Sequence, residues 1–500
     1  MKRLEWIAVI LLFGITLGVR LFFAFGADHF TPDAYFHVRL VEHVREYWTP
    51  IFIDELSYGG RTLVVSPLFY YIIALLSFFF PLHFSLTFFP QLFMAFVPVL
   101  VFFIVRLLTS RGDAALFSAS LSTFLPIVFS QTLFSLSPIT LALPLALLFL
   151  LLFFYAQRRA FVTLFVIVII ALSLAHASSI VLVVGLLVYL LGAHLDGSQL
   201  QKADIELTLF FTFIFLWTQF LIYKRAFFSH GFALITQNIP SSLLSNYFVD
   251  VSLPPALLQV GVLPLIFGIY GVYRHLVQVK NRFVALYASL SMVLAVFLWF
   301  HLIEPAVGFM YIGLWLSILS GLVYVVFVDY LTHTKFVRLA FLGFHTLLIV
   351  LFLVSMVVPS IHFARAERTA TISESLFDTL QWIQHHTPHN STVLASLDDG
   401  HPITSIARRR NVLDDYFLLA PDAAQRLSDV ERIFITPFPT EAVELLLRYH
   451  VNYLLVTPAT RSTYSIPNTV RLSDNCLRRV HGSTNISLYE LFCELEVTQS

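Results

Sequence analysis

Asp33, His37, Arg39, Glu42, His43, Arg45 and Glu46 crowd into one short stretch, Thr31 to Trp48 (TPDAYFHVRLVEHVREYW), of a chain in which only 12% of residues are charged. Asp33 and His37 lie four apart, as do Arg39 and His43. On a helix each pair shares a face, so a carboxylate and an imidazole can meet one ligand. A carboxylate placed this way serves as a general base or a cation ligand. A guanidinium or imidazole beside it neutralises an anionic leaving group such as a phosphate. The same spacing also suits a solvated amphipathic helix lying on a membrane surface.

The elements that must position this stretch are membrane spans. The chain is 58% hydrophobic with 52 Phe, and its mean hydropathy is +0.82. Repeated apolar runs of about eighteen residues predict a polytopic α-helical membrane protein. The formal net charge of zero gives no basis for nucleic-acid binding. Leu4 to Phe25 follows Met1-Lys2-Arg3. It is too long for a signal-peptide core and lacks a small-residue cleavage site, so it reads as a retained first span.

Spans are predicted at about 5–25, 86–107, 113–131, 138–156, 160–175, 177–194, 206–223, 254–273, 283–303, 307–330 and 337–358. The run 67–80 (PLFYYIIALLSFFF) is short, starts at Pro67 and is followed by Pro81, and is expected as a re-entrant or interfacial helix. Arg106, Arg111, Arg158, Arg159, Lys202, Arg274, Lys280, Arg282, Lys335 and Arg338 then fall in loops of one side, whereas the short loops after spans three, five and nine carry no Lys or Arg. This positive-inside distribution predicts a cytoplasmic N-terminus and an external C-terminus, with the protein integral to the plasma membrane.

Two domains are expected. Residues 1–358 form the membrane domain, with 26–85 as its first outer loop with interfacial helices, and 359–500 form an extracytoplasmic α/β domain. In the tail, Ser373 to His386 and Glu441 to His450 have helical period, while Thr392 to Ala395, Val430 to Pro437 and Val451 to Thr457 read as strands. Cys476 and Cys493 are the only cysteines. An outside location permits a disulfide between them, and two separate thiols fit as well. Asn390-Ser-Thr and Asn485-Ile-Ser match glycosylation sequons.

On this topology the polar groups of the outer face include Asp33, His37, Asp54, Glu55, His176, Gln237, Asn238, His301 and Glu304. Ionisable groups at the mouth of a helical bundle are candidates for function. Each taken singly also fits a loop residue in water.

A first span followed by D-x-Y-F-H-x-R (Asp33 to Arg39) and the Pro67-led SPLFYY segment (66–71) resembles the GT-C superfamily of membrane glycosyltransferases, in particular the archaeal type of oligosaccharyltransferase catalytic subunit. Two further segments carry the likeness along the chain: RLLTSRGDAALFSASLSTFLPIVFSQ (106–131) and SLFDTLQWIQHHTPHNSTVLASLDDGHPITSIARRRNVLDDY (375–416). The resemblance implies transfer of a sugar or glycan from a polyprenyl-phosphate-linked donor to a glycan, lipid or protein acceptor on the outer face. It also implies a divalent metal, Mg²⁺ or Mn²⁺, bound by Asp33. Where the family has WWDYG on the acceptor side, this chain has Ser396-Leu397-Asp398-Asp399-Gly400, so Asp398 and Asp399 are the acceptor-side candidates.

The chain departs from the family in four places. The second acidic motif is replaced by Ser135-Leu136-Ser137-Pro138-Ile139-Thr140, the later Glu motif reads Ile235-Thr236-Gln237-Asn238, both signature Trp are lost, and no Arg stands near Gly308. One Asp with hydroxyls is a poor set for a hard cation, which favours metal-independent transfer to a hydroxyl with Asp33 as general base. Candidates for binding the donor phosphate are His37, Arg39, His176, Gln237 and His301, with Arg20 weaker; Glu304 is the reserve metal ligand. The alternatives are a catalytically silent relative that binds glycan, carrier or partner subunits, and a transporter or flippase. Against transport, no charged relay is found in mid-span.

Overall fold

The computed structural model describes residues 3–155, 159–197, 201–234, 237–243, 253–274, 281–466 and 476–492. The chain forms two compact units. One comprises Met1–Ala27, Ser66–Lys224 and Ser245–Thr369; the other comprises Asp28–Val65, Arg225–Leu244 and Ala370–Ser500.

The first unit is helical because its apolar runs leave the backbone no other way to satisfy its polar groups in lipid. Among the described residues, seven helices are long and apolar enough to cross a membrane, including Arg3–Ala24, Leu82–Thr109, Arg282–Trp299 and Pro305–Thr332. Each of the other four predicted spans is also helical, in shorter or interrupted form. Ile139–Tyr155 and Arg159–Ala175 have 17 residues each. The run 113–131 breaks into Gly112–Thr123 and Pro126–Gln131, since Pro126 removes a backbone donor. The run 254–273 breaks at Gly261, whose φ of 90° only glycine adopts without strain. The expected short helix is Leu68–Leu76, with 9 residues; at about 1.5 Å per residue it falls far short of a bilayer core.

Ion pairs join several helix ends. Arg111 pairs with Asp113 at 2.7 Å and with Asp329 at 2.6 Å, and Arg106 lies 3.3 Å from Glu5. Close helix contact in the same unit depends on small residues. A Cβ added to Gly268, in helix Val262–Arg274, would lie 2.8 Å from Leu316 Cβ and 3.0 Å from Leu316 Cα. Without hydrophobic exclusion in lipid, such backbone approach is a main source of helix association. Gly268→Val is therefore expected to destabilise this unit by about 1–3 kcal/mol, the usual penalty for overpacking. Thermal unfolding in detergent measures it, and an unchanged midpoint would mean that the helix pair has room to separate.

The second unit joins the first loop to the tail. The first loop pairs β1 (Ile53–Asp54) with β2 (Arg61–Thr62), and the tail strands β3 (Thr392–Leu394), β4 (Arg410–Asn411), β5 (Tyr453–Val456), β6 (Leu477–Gly482) and β7 (Ser487–Leu491) form a sheet in the order β4-β3-β5-β7-β6. Here β3 is parallel to both β4 and β5, and β7 is antiparallel to β5 and β6. Helix Glu374–His386 starts on a Ser373 cap, whose side chain accepts from Leu376 N–H at 3.3 Å. The α/β reading holds, with one correction. Val430 to Pro437 is no strand: residues 430–435 are the end of helix Ala423–Ile435, and Thr436 is its cap. The short apolar run looked extended, but Val430 and Ile433 lie three apart and face the core together.

The first loop divides differently from the expected boundary. Residues 28–65 group with the tail, because Tyr58 is part of the tail's own core with Leu394, Val412, Leu413, Phe417 and Leu454. Leu56 C=O accepts from Asn411 N–H at 2.8 Å, next to the sheet edge. Helix Ala34–Tyr47 buries Tyr35, Phe36, Val38, Leu40, Val41 and Val44. Its apolar face is thus occupied by protein, which overturns the picture of a helix lying flat on a membrane. The choice between a disulfide and two thiols involves Cys493, which lies outside the described residues.

Candidate active site

Asp33 occupies the N-cap position of helix Ala34–Tyr47, yet its side chain makes no capping hydrogen bond. An Asp at this position normally accepts from the first turn, so this carboxylate is turned to another use. It lies within the field of Asp415, His401 and Asp398. Three tail residues and one first-loop residue therefore meet in one place, all within the second unit.

Two buried ion pairs hold the arrangement from beneath. Asp54 accepts from both ends of the Arg39 guanidinium, at 3.0 Å for Nη1 and closer for Nη2. Arg61, fully buried, donates to Asp414 through Nη1 at 2.9 Å and Nη2 at 3.0 Å, and its charge lies 5.1 Å from the centre of the Tyr58 ring. Asp414 also accepts from Ser57 Oγ, from Asn411 Nδ2 at 3.2 Å and from Tyr416 N–H at 3.1 Å. Burial alone would raise the Asp414 pKa. Arg61 first, then His401 and the hydrogen bonds, outweigh it and hold the carboxyl well below the usual range.

His401 carries this order upward. Its Nδ1 is buried without a hydrogen bond, 3.7 Å from Asp414 Oδ2, while Nε2 is bonded to Asp415. Burial would lower its pKa, but Asp414 and Asp415 together hold it above the ordinary value. The Phe36 ring packs on both sides of the site, 5.0 Å from His401 and 4.8 Å from Tyr416. Gly400 lets the turn carrying Asp398 and His401 pass close to the 413–414 backbone; an added Cβ would lie 2.4 Å from Leu413 O. That contact gives Gly400 a physical reason.

The Asp33 pKa is pushed up to about 7, first by the Asp415 carboxylate and then by desolvation. Asp33 is solvent-exposed as a residue, so the neighbouring charge is the firmer of the two causes. Asp398, also exposed, is raised by partial burial and by Asp415. Asp399 belongs to a different group. It is buried and accepts from Ser396 Oγ at 2.6 Å and Thr457 Oγ1 at 2.7 Å, which ties the end of β3 to that of β5. Its carboxylate is buried in the tail's interior.

The remaining candidates separate. Arg39 is held by Asp54. His37 is half-buried on the same helix, with its ring 5.2 Å from that of Phe36. Gln237 sits in an exposed turn with φ 52°; Ile235 and Thr236 beside it lie outside the described residues. His176, His301, Glu304 and Arg20 belong to the first unit. His176 caps a short turn, its Nδ1 accepting from Ser178 N–H at 3.2 Å and lying 2.8 Å from Ser178 Oγ. His301 adopts φ 57° after helix Arg282–Trp299, and Glu304 precedes helix Pro305–Thr332 with its side chain exposed. Arg20 donates to Gln91 Oε1 at 3.0 Å and to Thr132 O at 3.2 Å, a packing role between helices.

Sequence reasoning missed Asp415, His401, Asp414 and Arg61. The Asp414-Asp415 pair was in view at the end of the matching tail segment, but nothing in its spacing related it to Asp33.

The cluster fits a divalent cation. His401, Asp414 and Asp415 each present one ligand atom, all within 4.8 Å of one another. Asp33 and Asp415 press two carboxylates together, a repulsion that a cation relieves. Asp414 is already engaged by Arg61, so Asp415 and His401 are the donors of this group that would hold an ion. A mixed oxygen and imidazole set of this kind suits Mn²⁺ or Zn²⁺. The tail thus places His401, Asp414 and Asp415 near the Asp33 carboxylate, which the first loop alone does not supply.

No protein-family model matches the chain, and no curated protein matches it in sequence. Solved structures do. The apo oligosaccharyltransferase of Archaeoglobus fulgidus superposes with a TM-score of 0.71 at 14% identity, covering 98% of this chain and 75% of that one. The same archaeal enzyme, AglB, in complex with an inhibitory peptide and a dolichol-phosphate, gives 0.68 at 14% identity, covering 91% and 69%. ArnT from Cupriavidus metallidurans bound to undecaprenyl phosphate gives 0.57 at 14% identity, covering 98% of each chain. The chain thus has the fold of the GT-C membrane glycosyltransferases and is an integral membrane protein.

Proposed function

We propose that this chain is a glycosyltransferase that moves a sugar from a polyprenyl-phosphate-linked donor to a hydroxyl acceptor on the outer face of the membrane, with Asp33 as the general base. The acceptor oxygen attacks the anomeric carbon while Asp33 takes its proton. The bond from that carbon to the carrier oxygen breaks, and polyprenyl phosphate leaves. A base with a pKa near the working pH is best matched to this step, and Asp415 moves Asp33 in that direction. With Arg39 paired to Asp54, His37 is the first-loop candidate for the leaving phosphate. A divalent ion on Asp415 and His401 would supply positive charge beside the same leaving group.

The observation that supports this reading most is the uncapped, solvent-facing Asp33 beside two other carboxylates and a buried imidazole. Fold likeness to enzymes whose structures hold dolichol-phosphate and undecaprenyl phosphate supports the carrier class. A silent, carrier-binding relative is the alternative. Incubating membranes that contain the protein with a polyprenyl-phosphate-linked sugar and an alcohol acceptor, followed by mass spectrometry, separates the two. Glycosylated acceptor together with released carrier phosphate is the expected result. Carrier binding without any product would replace the enzyme reading with the silent one.

A further inference from the structure

The end of the first-loop helix carries a second feature, unrelated to the carboxylate cluster. Tyr47 to Ile53 (Tyr-Trp-Thr-Pro-Ile-Phe-Ile) has no charged residue, while Arg45 and Glu46 precede it and Asp54 and Glu55 follow. Its large side chains point out: Tyr47 is 58% exposed, Trp48 54%, Phe52 62% and Ile53 67%. The rest of the helix hides its apolar residues in the second unit.

The segment is also held in shape. Trp48 has φ 59°, a backbone state that bulky aromatic residues rarely adopt, and its N–H bonds Val44 O at 2.9 Å. Leu63 N–H bonds Phe52 O at 3.0 Å, and the ladder continues with Ile53 opposite Thr62 and Asp54 opposite Arg61. Asp54 is then clamped by Arg39. A disordered tip would bury or scatter these side chains, whereas this one presents them.

We propose that Tyr47, Trp48, Phe52 and Ile53 form a membrane anchor, and that the headgroup and upper acyl region of the bilayer is its occupant. In the chain the 28–65 segment is flanked at both ends by apolar helices, Arg3–Ala24 before it and Leu68–Leu76 after it. Trp and Tyr beside aliphatic residues are the composition that settles at a membrane interface. Charges at each end and none within mark the depth to which such a tip can enter. A saccharide would instead call for several hydrogen-bonding side chains between the rings, and Tyr47 to Ile53 offers the Tyr47 hydroxyl, the Trp48 indole N–H and Thr49, with no amide or charged group.

The full-length chain in lipid nanodiscs tests this with a nitroxide at Phe52→Cys, Cys476 and Cys493 being replaced, and a control label at Ser462→Cys in the tail. The label at 52 is expected to collide with oxygen and to be shielded from a water-soluble nickel chelate, with the control open to nickel. Equal nickel access at both sites would overturn the proposal. A label at 52 reached by neither reagent would signal a protein contact and overturn it too. A second readout keeps the native cysteines: quenching of tryptophan emission by brominated lipid should be smaller in Trp48→Phe than in the parent, and an unchanged quench would contradict the anchor.

Discussion

Replacing Asp33 by asparagine is expected to slow sugar transfer by about 10²–10⁴-fold, the range that general acid–base assistance typically supplies. The substitution keeps the size of the side chain and removes the base. It should leave the fold intact, since the Asp33 side chain makes no capping bond and the residue is exposed. Loss of the Asp33 charge also relieves its repulsion with Asp415, so the protein should be no less stable. Transfer rates of the parent and Asp33→Asn, compared with their unfolding midpoints, check both halves. Full activity in the variant would remove Asp33 from the chemistry, and a collapsed midpoint would assign it a structural part.

Arg61→Met carries the largest expected loss of stability, about 3–5 kcal/mol, the cost of leaving a buried charge unpaired. Arg61 lies between Asp54 and Asp414, 3.6 Å from the first and 2.9 Å from the second, with all three side chains almost wholly buried. Asp54 would keep Arg39, but Asp414 would lose its only arginine partner among the described residues. Lysine should rescue in part, since it restores the charge without the two-pronged fork. The pH dependence has a definite sign. The Asp414 pKa is depressed on folding, so its stabilisation is present above the ordinary carboxylate range and is lost as pH falls through the lowered folded value. Chemical unfolding of the full chain in detergent measures the change, and a loss below about 1 kcal/mol would mean that the pair nets almost nothing against its desolvation.

Composition and charge placement made the membrane helices legible, because lipid forces each long apolar run into a helix. The interruptions at Pro126 and Gly261 were harder to read. A proline or glycine inside an apolar run breaks a helix in one context and is absorbed in another: Pro90 and Pro98 sit within the unbroken helix Leu82–Thr109. Asp33 could be found because its neighbours are so unlike the rest of the chain. Arg39 was only partly legible. Its i, i+4 spacing with His43 says which helix face it lies on, but not that Asp54, fifteen residues on, would fold back to take its charge. Asp415 and His401 are nearly four hundred residues from Asp33, and only tertiary structure relates them. Val430 to Pro437 shows the weakness of short apolar runs, where helix and strand give the same signal.

The pH profile of transfer, measured in EDTA for the parent and for Asp415→Asn, tests the central claim most directly. Asp33 must be ionised to accept the acceptor's proton, and Asp415 holds its pKa near 7. Activity of the parent should therefore fall on the acid side with a midpoint near 7, and that limb should move toward the ordinary carboxylate range once the Asp415 charge is gone. An acid limb at the same pH in both proteins would contradict the account, because the base would then be a group that does not feel Asp415.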